Sequence, residues 1–245
     1  MNAQAIRSGG ILAAGEGSRL RQAGWTMAKP LVPVAGVPLI EHVIENFAAA
    51  GVTTLAIIFN EQEEDCARWV RARFPDLELR ILVQTSASSL ESFQRIASLL
   101  ESGSALVSTV DAFCPRQDFL SFVETAAKAP PEATVLAVTP FVDDERPLWA
   151  SLDTAGRMKS LGGDSGDVVT AGLYVFPERV RRLSPPATVG RLREFLAWLL
   201  ERGETLYGFS IEKVVDVDRS SDVALAETLA RSAARQARRT RAGHS

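Results

Sequence analysis

Short apolar runs alternate with amphipathic stretches along most of this chain, and few folds accept that rhythm. The runs predict strands at Gly10–Ala14, Leu55–Phe59, Leu79–Gln84, Ala105–Asp111, Thr134–Phe141, Leu148–Leu152, Ala171–Phe176, Leu206–Ser210 and Val214–Val217. Most are rich in Val, Leu or Ile, the composition of strands covered on both faces. Between them lie apolar stripes at helical spacing. Ile40, Val43, Ile44 and Phe47 form one, with Gly51 placed as a C-terminal cap. Leu90, Phe93, Ala97 and Leu100 form another, and Leu192, Phe195, Leu196, Leu199 and Leu200 a third, closed by Gly203. The alternation predicts an α/β fold: a Rossmann-like, mostly parallel mixed sheet sandwiched by helices. Between Thr134 and Phe176 strands follow one another without helices, which predicts a small β-rich insertion or lid over residues 134–176. Residues 1–230 are expected to form one domain. The basic stretch 231–245, with Arg231, Arg235, Arg238, Arg239 and Arg241, is expected to fray into solvent.

Composition narrows the partners. Lys plus Arg number 27 and Asp plus Glu 30, so a net charge of −3 offers no bulk field for nucleic acid. No apolar run reaches the length of a membrane span, and Met1–Gly9 has no apolar core of a secretory signal. Cys66 and Cys114 form no C-x-x-C pair, so free thiols in a reducing cytoplasm are the expectation. With only His42 and His244 available, a bound metal must rest on carboxylates, which suit Mg²⁺ or a similar hard ion such as Mn²⁺. The oligomeric state is left open.

The segment Ile11-Leu12-Ala13-Ala14-Gly15-Glu16-Gly17-Ser18-Arg19-Leu20 carries the chemistry. A buried strand runs into a loop with two glycines, a hydroxyl and a guanidinium. Successive backbone N–H groups in such a loop form an anion nest, and Ser18 and Arg19 add a donor and a fixed charge suited to phosphate. The P-loop pattern is absent, and Leu20 stands where a dinucleotide fingerprint needs a third small residue. Two glycines alone fit an unliganded turn equally well. Lys29 stands ten positions after Arg19, directly before Pro30, in the run Ala28-Lys29-Pro30-Leu31-Val32-Pro33-Val34-Ala35-Gly36-Val37-Pro38-Leu39-Ile40.

Together these two segments resemble the sugar-1-phosphate nucleotidylyltransferases, or NDP-sugar pyrophosphorylases, whose signature runs LAAGxGTRL…PKPLxPVxGxPLI. Further stretches are similar to that family's later motifs: Val83-Gln84 with Ser88-Ser89-Leu90, Val107 to Asp111, Trp149 to Met158, Thr170 to Phe176, and Val215 to Asp222. The resemblance implies the nucleotide-diphospho-sugar transferase fold. It implies an enzyme that couples an NTP to a small phosphorylated acceptor, foremost a sugar 1-phosphate, by Mg²⁺-assisted in-line attack at the α-phosphorus with release of pyrophosphate. It places the nucleotide on Leu12, Ala13, Ala14, Gly15, Glu16, Gly17, Ser18, Arg19, Gln84, Ser88 and Ser89. It gives Arg19 and Lys29 catalytic roles, the metal to Asp111 and Asp216, and the acceptor to Trp149, Lys159 and Gly172.

Some positions depart from the family pattern. Ser18 stands for Thr, Ala28 for Pro, Val110 for Gly, and Ser88-Ser89 for a Gly beneath the base. Leu161-Gly162-Gly163 replaces Glu-Lys-Pro, whose lysine meets the acceptor phosphate, leaving Lys159, Arg157 or Arg146 to substitute. Other readings stay open. Gln84 fits a backbone contact as well as a base contact, and Trp149 fits packing. Asp218 and Asp222 fit turn or cap roles. Asp143, Asp144 and Glu145 read as a solvated turn. A cytidylyltransferase for a non-sugar phosphate (polyol phosphate, inositol phosphate or phosphocholine) and a noncatalytic nucleotide-binding relative are the alternatives. A glycosyltransferase reading of Asp216-Val217-Asp218 leaves Arg19 and Lys29 without a role.

Overall fold

A computed structural model describes residues 5–143 and 145–242, with side chains described to residue 236. Met1–Gln4, Asp144 and Gly243–Ser245 lie outside the described residues, so the readings placed on Met1, Asp144 and His244 have no structural counterpart. Strand β1 (Ser8–Ala13) leads through the glycine loop into a five-residue helix, α1 (Ser18–Gln22). A 3₁₀ turn over Lys29–Leu31 and a small hairpin of β2 (Pro33–Val34) and β3 (Val37–Pro38) precede α2 (Leu39–Ala49). Then come β4 (Thr54–Phe59), α3 (Glu64–Arg73), β5 (Glu78–Val83), α4 (Ser89–Ala97), β6 (Ala105–Thr109), β7 (Ala112–Phe113) and α5 (Arg116–Ala126). The remainder is β8 (Thr134–Thr139), β9 (Trp149–Leu152), β10 (Met158–Leu161), β11 (Val168–Phe176), α6 (Glu178–Arg181), α7 (Leu192–Glu201), β12 (Leu206–Ser210), β13 (Val215–Asp216) and α8 (Ser220–Ala242).

Strands β5, β4, β1 and β6 run parallel in that order, and β11 joins β6 antiparallel. The far side of β11 takes β8, which pairs parallel with β12, while the β9–β10 hairpin extends the sheet beside the first residues of β11. The stretch 134–176 is therefore not a separate lid: β8 and β11 belong to the central sheet, and only β9–β10 is an appended edge. The basic stretch continues α8 as far as Ala242, so its backbone is helical.

Every residue of β1, β4 and β8 is buried, as their unbroken apolar runs demand. Neighbouring residues face opposite layers. Ile11 and Ile57 pack with Phe47, Phe119 and Phe122 beneath α2 and α5, whereas Leu12 and Ile58 pack with Phe93, Phe176 and Phe195 beneath α4 and α7. A third, smaller cluster gathers Leu20, Val32, Val34, Leu39, Phe113, Val215, Val217, Val223 and Ala226. It ties α1, the Lys29 turn, β7, β13 and α8 to one another, and so anchors the segments that carry Arg19, Lys29, Asp111, Asp216 and Asp218.

Candidate active site

The glycine loop closes on Lys29. Gly17 has φ +57°, and a Cβ there would stand 2.9 Å from Lys29 Cβ, so a left-handed residue without a side chain is required. Leu20 is buried in the third cluster and turns Arg19 outward on the same helix. Lys29 itself is 7% exposed, at the start of a 3₁₀ turn whose next residue, Pro30, needs no amide partner.

The carboxylates come from two remote segments joined by backbone. After β6, Val110 N–H donates to the Leu12 carbonyl at 3.0 Å, and Val217 N–H donates to the Asp111 carbonyl at 3.0 Å. Strands β7 and β13 pair antiparallel, with Asp216 opposite Ala112, so Asp111 and Asp216 lie side by side along the sheet edge. Beneath them Gly172 has φ +71° at an irregularity in β11, and a Cβ there would meet Thr109 Oγ1 at 2.7 Å and Ala112 Cβ at 2.8 Å. Gly172 thus shapes the floor under Asp111 by letting two strands approach.

Lys29 Nζ donates to Asp111 Oδ2 at 2.5 Å and also to Asp218 Oδ1, whose second oxygen accepts from Arg19 Nη1 at 2.6 Å. One chain of charge therefore runs Asp111–Lys29–Asp218–Arg19. Burial would lower the Lys29 ammonium, but the fields of Asp111, Asp218 and Asp216 outweigh it and hold it above its ordinary range. Burial would likewise raise the Asp111 carboxyl, yet the Lys29 ammonium prevails and keeps it below the usual carboxylate range.

Lys29, Asp111 and Asp216 border a cleft of about 350 Å³. Of the residues expected from sequence, Leu12, Ala14, Gly15, Lys29, Ser89, Asp111, Gly172 and Asp216 line it. Glu16 borders a neighbouring cavity with Lys29, and Arg19 an open groove with Glu145 and Arg219. The rest are placed otherwise. Ala13 is 1% exposed and faces the core beneath α2. The Ser88 hydroxyl accepts from Glu91 N–H as the cap of α4, and the Ser89 hydroxyl accepts from Leu192 N–H. Gln84 is exposed, with its backbone N–H on the Phe59 carbonyl. Trp149 is half-buried in β9 and Lys159 exposed on β10, both away from the cleft lining.

Three features escaped the sequence reading. Asp218 links Lys29 and Arg19, and the i, i+2 spacing from Asp216 was its only sign. Glu145 pairs with Arg19 at 3.7 Å and also with Arg219, so it is no bare solvated turn. Arg191 and Arg193, flanking Leu192 at the start of α7, supply cations to the cleft, and Arg193 Nη2 also donates to the Arg146 carbonyl at 2.7 Å. Asp222 accepts from the N–H groups of Asp218 and Arg219 and opens α8.

The donor set suits a hard divalent ion. Asp111 and Asp216 offer carboxylate oxygens on adjoining strands, with no soft ligand beside them. Among the described residues no group of three or more His, Cys, Asp or Glu side chains is arranged to hold a metal. The fit is therefore to an ion whose remaining ligands come from a bound molecule and water.

A glycine-loop α/β fold with paired acidic and basic groups at the carboxyl edge of its sheet defines a nucleotide-binding class of protein. Over residues 9–176 the chain matches the MobA-like NTP transferase domain, and it belongs to that family. It is 25% identical over 194 residues to the CMP-5'-(3-aminopropyl)phosphonate synthase of Streptomyces rubellomurinus, a match covering 70% of this chain and 28% of that protein. It is 38% identical over 68 residues to the bifunctional protein GlmU of Rhizobium johnstonii, covering 28% of this chain and 14% of that one. The chain thus spans less than a third of the length of these curated relatives. Its fold is shared with the inositol-1-phosphate CTP transferase from T. maritima, at TM-score 0.78 and 20% identity over 90% of this chain and 93% of that one. It is shared too with HddC from Yersinia pseudotuberculosis complexed with GMP-PN, at TM-score 0.71 and 17% identity over 90% and 97%.

Proposed function

We propose that this chain transfers a nucleotidyl group from an NTP to a phosphate-bearing acceptor. The observation that carries the reading is the charge chain Asp111–Lys29–Asp218–Arg19 at the mouth of the glycine loop, with Asp216 alongside. No nucleophilic side chain is needed, because the acceptor already carries an anionic oxygen. That oxygen attacks the α-phosphorus; a P–O bond forms, the bond to the β-phosphate bridging oxygen breaks, and pyrophosphate leaves with the electron pair. Catalysis is then placement and charge neutralisation.

Lys29 is the cation nearest the paired carboxylates and neutralises charge on the α-phosphate. Arg19, at the outer edge, takes the leaving pyrophosphate once its contact with Asp218 is exchanged for phosphate. Arg191 and Arg193 hold the acceptor phosphate at the opposite end, the role the sequence had left among Lys159, Arg157 and Arg146. Asp111 and Asp216 would hold Mg²⁺ or Mn²⁺, which when bound supplies charge neutralisation at the phosphates. Sugar 1-phosphates and non-sugar phosphates are both chemically competent acceptors, and the names of the T. maritima and S. rubellomurinus proteins include inositol 1-phosphate and a phosphonate.

The test is pyrophosphate release from the four NTPs with Mg²⁺ over a panel of phosphorylated acceptors. The wild-type chain is expected to turn over at least one pair, and Lys29→Ala to slow that pair by about a hundredfold or more. No release from any pair would overturn the reading.

A further inference from the structure

Resting on that reading, the acceptor end of the cleft assigns a substrate class. We infer that the acceptor is a phosphate or phosphonate on a short, largely aliphatic chain, and not a hexose 1-phosphate. Arg191 and Arg193 share the cleft lining with Phe141, Pro147, Leu148, Val169 and Leu192, and the Arg193 bond to the Arg146 carbonyl sets that guanidinium beside Pro147 and Leu148. Among the described residues lining the cleft there is no Asn, Gln, Glu or His. Several of the hydroxyls present are already engaged. Thr139 Oγ1 donates to the Glu212 carbonyl and accepts from Phe141 N–H. The Ser89 hydroxyl accepts from Leu192 N–H.

A pyranose ring presents hydroxyls around its whole edge. Each one taken from water needs a partner, or the site loses affinity for it. This wall offers contact to methylene groups and little else. The two guanidiniums match a doubly anionic phosphate or phosphonate head. The exposed carboxylate of Asp143, also on the lining, leaves one polar position at the outer end, suited to an amine or a single hydroxyl. The transfer is unchanged: a phosphonate oxygen forms the new P–O bond and pyrophosphate departs as before.

The experiment measures kcat/KM from pyrophosphate release with the full chain, Mg²⁺ and the preferred NTP. One arm uses 2-aminoethylphosphonate, phosphocholine and glycerol phosphate; the other uses glucose 1-phosphate and mannose 1-phosphate. The best short-chain acceptor is expected to exceed the best hexose by at least about tenfold. Leu148→Asn, which puts an amide on the wall, is expected to narrow that ratio at least threefold. A hexose 1-phosphate used equally well or better overturns the inference and leaves nucleotidyl transfer intact. A ratio unchanged in Leu148→Asn overturns the assignment of this wall to the acceptor. No pyrophosphate from either arm overturns the proposed function, and the inference with it.

Discussion

Lys29 is the residue on which the site's charge balance turns. It is nearly buried, and three carboxylates act on it. Replacing it with Met leaves Asp111 and Asp218 facing each other with one cation fewer, which is expected to cost about 1–3 kcal/mol in urea denaturation besides the loss of turnover. Glu63 poses the opposite case. It borders the cavity that Lys29 shares with Glu16, its Oε2 has no hydrogen-bond partner, and burial pushes its carboxyl up to about 7 from 4.5, with Asn60, Arg21 and Lys29 only partly offsetting that. The folded state therefore holds this proton more tightly than the unfolded chain. Stability from this group is complete below pH 4.5 and falls as pH rises to about 7. Glu63→Gln is expected to be more stable than the native chain at pH 8 and to lose less in thermal midpoint between pH 5 and pH 8; an identical loss in both would contradict this. At this scale the sequence was clear where a motif constrained it. Arg19, Lys29 and Asp111 stood in segments that resemble a family's motifs, and the structure links them in one chain of charge. Asp218, Glu145, Arg191 and Arg193 were not legible, because each acts through a partner far away in sequence.

At the scale of elements, the site depends on three short pieces held by backbone: the glycine loop, β7 and β13. The Val217 N–H on the Asp111 carbonyl and the β7–β13 pairing make the two acidic segments one unit. Gly172 supports that unit from below. Gly172→Ala is expected to cost about 2–4 kcal/mol, because a left-handed φ and two contacts under 3 Å are penalised together, and to lower turnover as Asp111 shifts. A stability within 0.5 kcal/mol of the native chain, the range about usual for neutral surface changes, would show that β11 can move away without cost. Buried parallel strands were legible from their apolar runs. Strand β10 was not, since only Met158 of its four residues is buried. Helix α3 was missed for a similar reason: Cys66, Ala67 and Val70 are a thin stripe between charged residues. The segment 134–176 read as an insertion because apolar periodicity identifies a strand but not its partner. Strands β8 and β11 found theirs in the central sheet.

The whole molecule presents a modest net negative charge while its cleft gathers Lys29, Arg191 and Arg193, with Arg19 on the adjoining groove. No helix among the described residues is long and apolar enough to cross a membrane. Because the cleft draws on both halves of the sheet and on the small core behind it, a bound nucleotide should brace the entire fold. Saturating NTP with Mg²⁺ at a hundredfold excess over Kd is expected to add about 2.7 kcal/mol of stability. That gain should shrink in Arg19→Ala. The sheet edge at which Lys29, Asp111 and Asp216 gather was visible from sequence, because strand-to-loop transitions in parallel sheets converge at one end. The part of the cleft proposed for the acceptor was not, since it is assembled from β8, β11 and the start of α7 only after folding.

In the proposed reaction Asp111 and Asp216 serve one chemical step together with Lys29. The most direct measurement is single-turnover pyrophosphate release by folded Asp111→Asn with Mg²⁺, NTP and the best acceptor. The expected result is a rate at least about a hundredfold below wild type with the nucleotide-dependent thermal shift retained. A wild-type rate in that variant would contradict the claim.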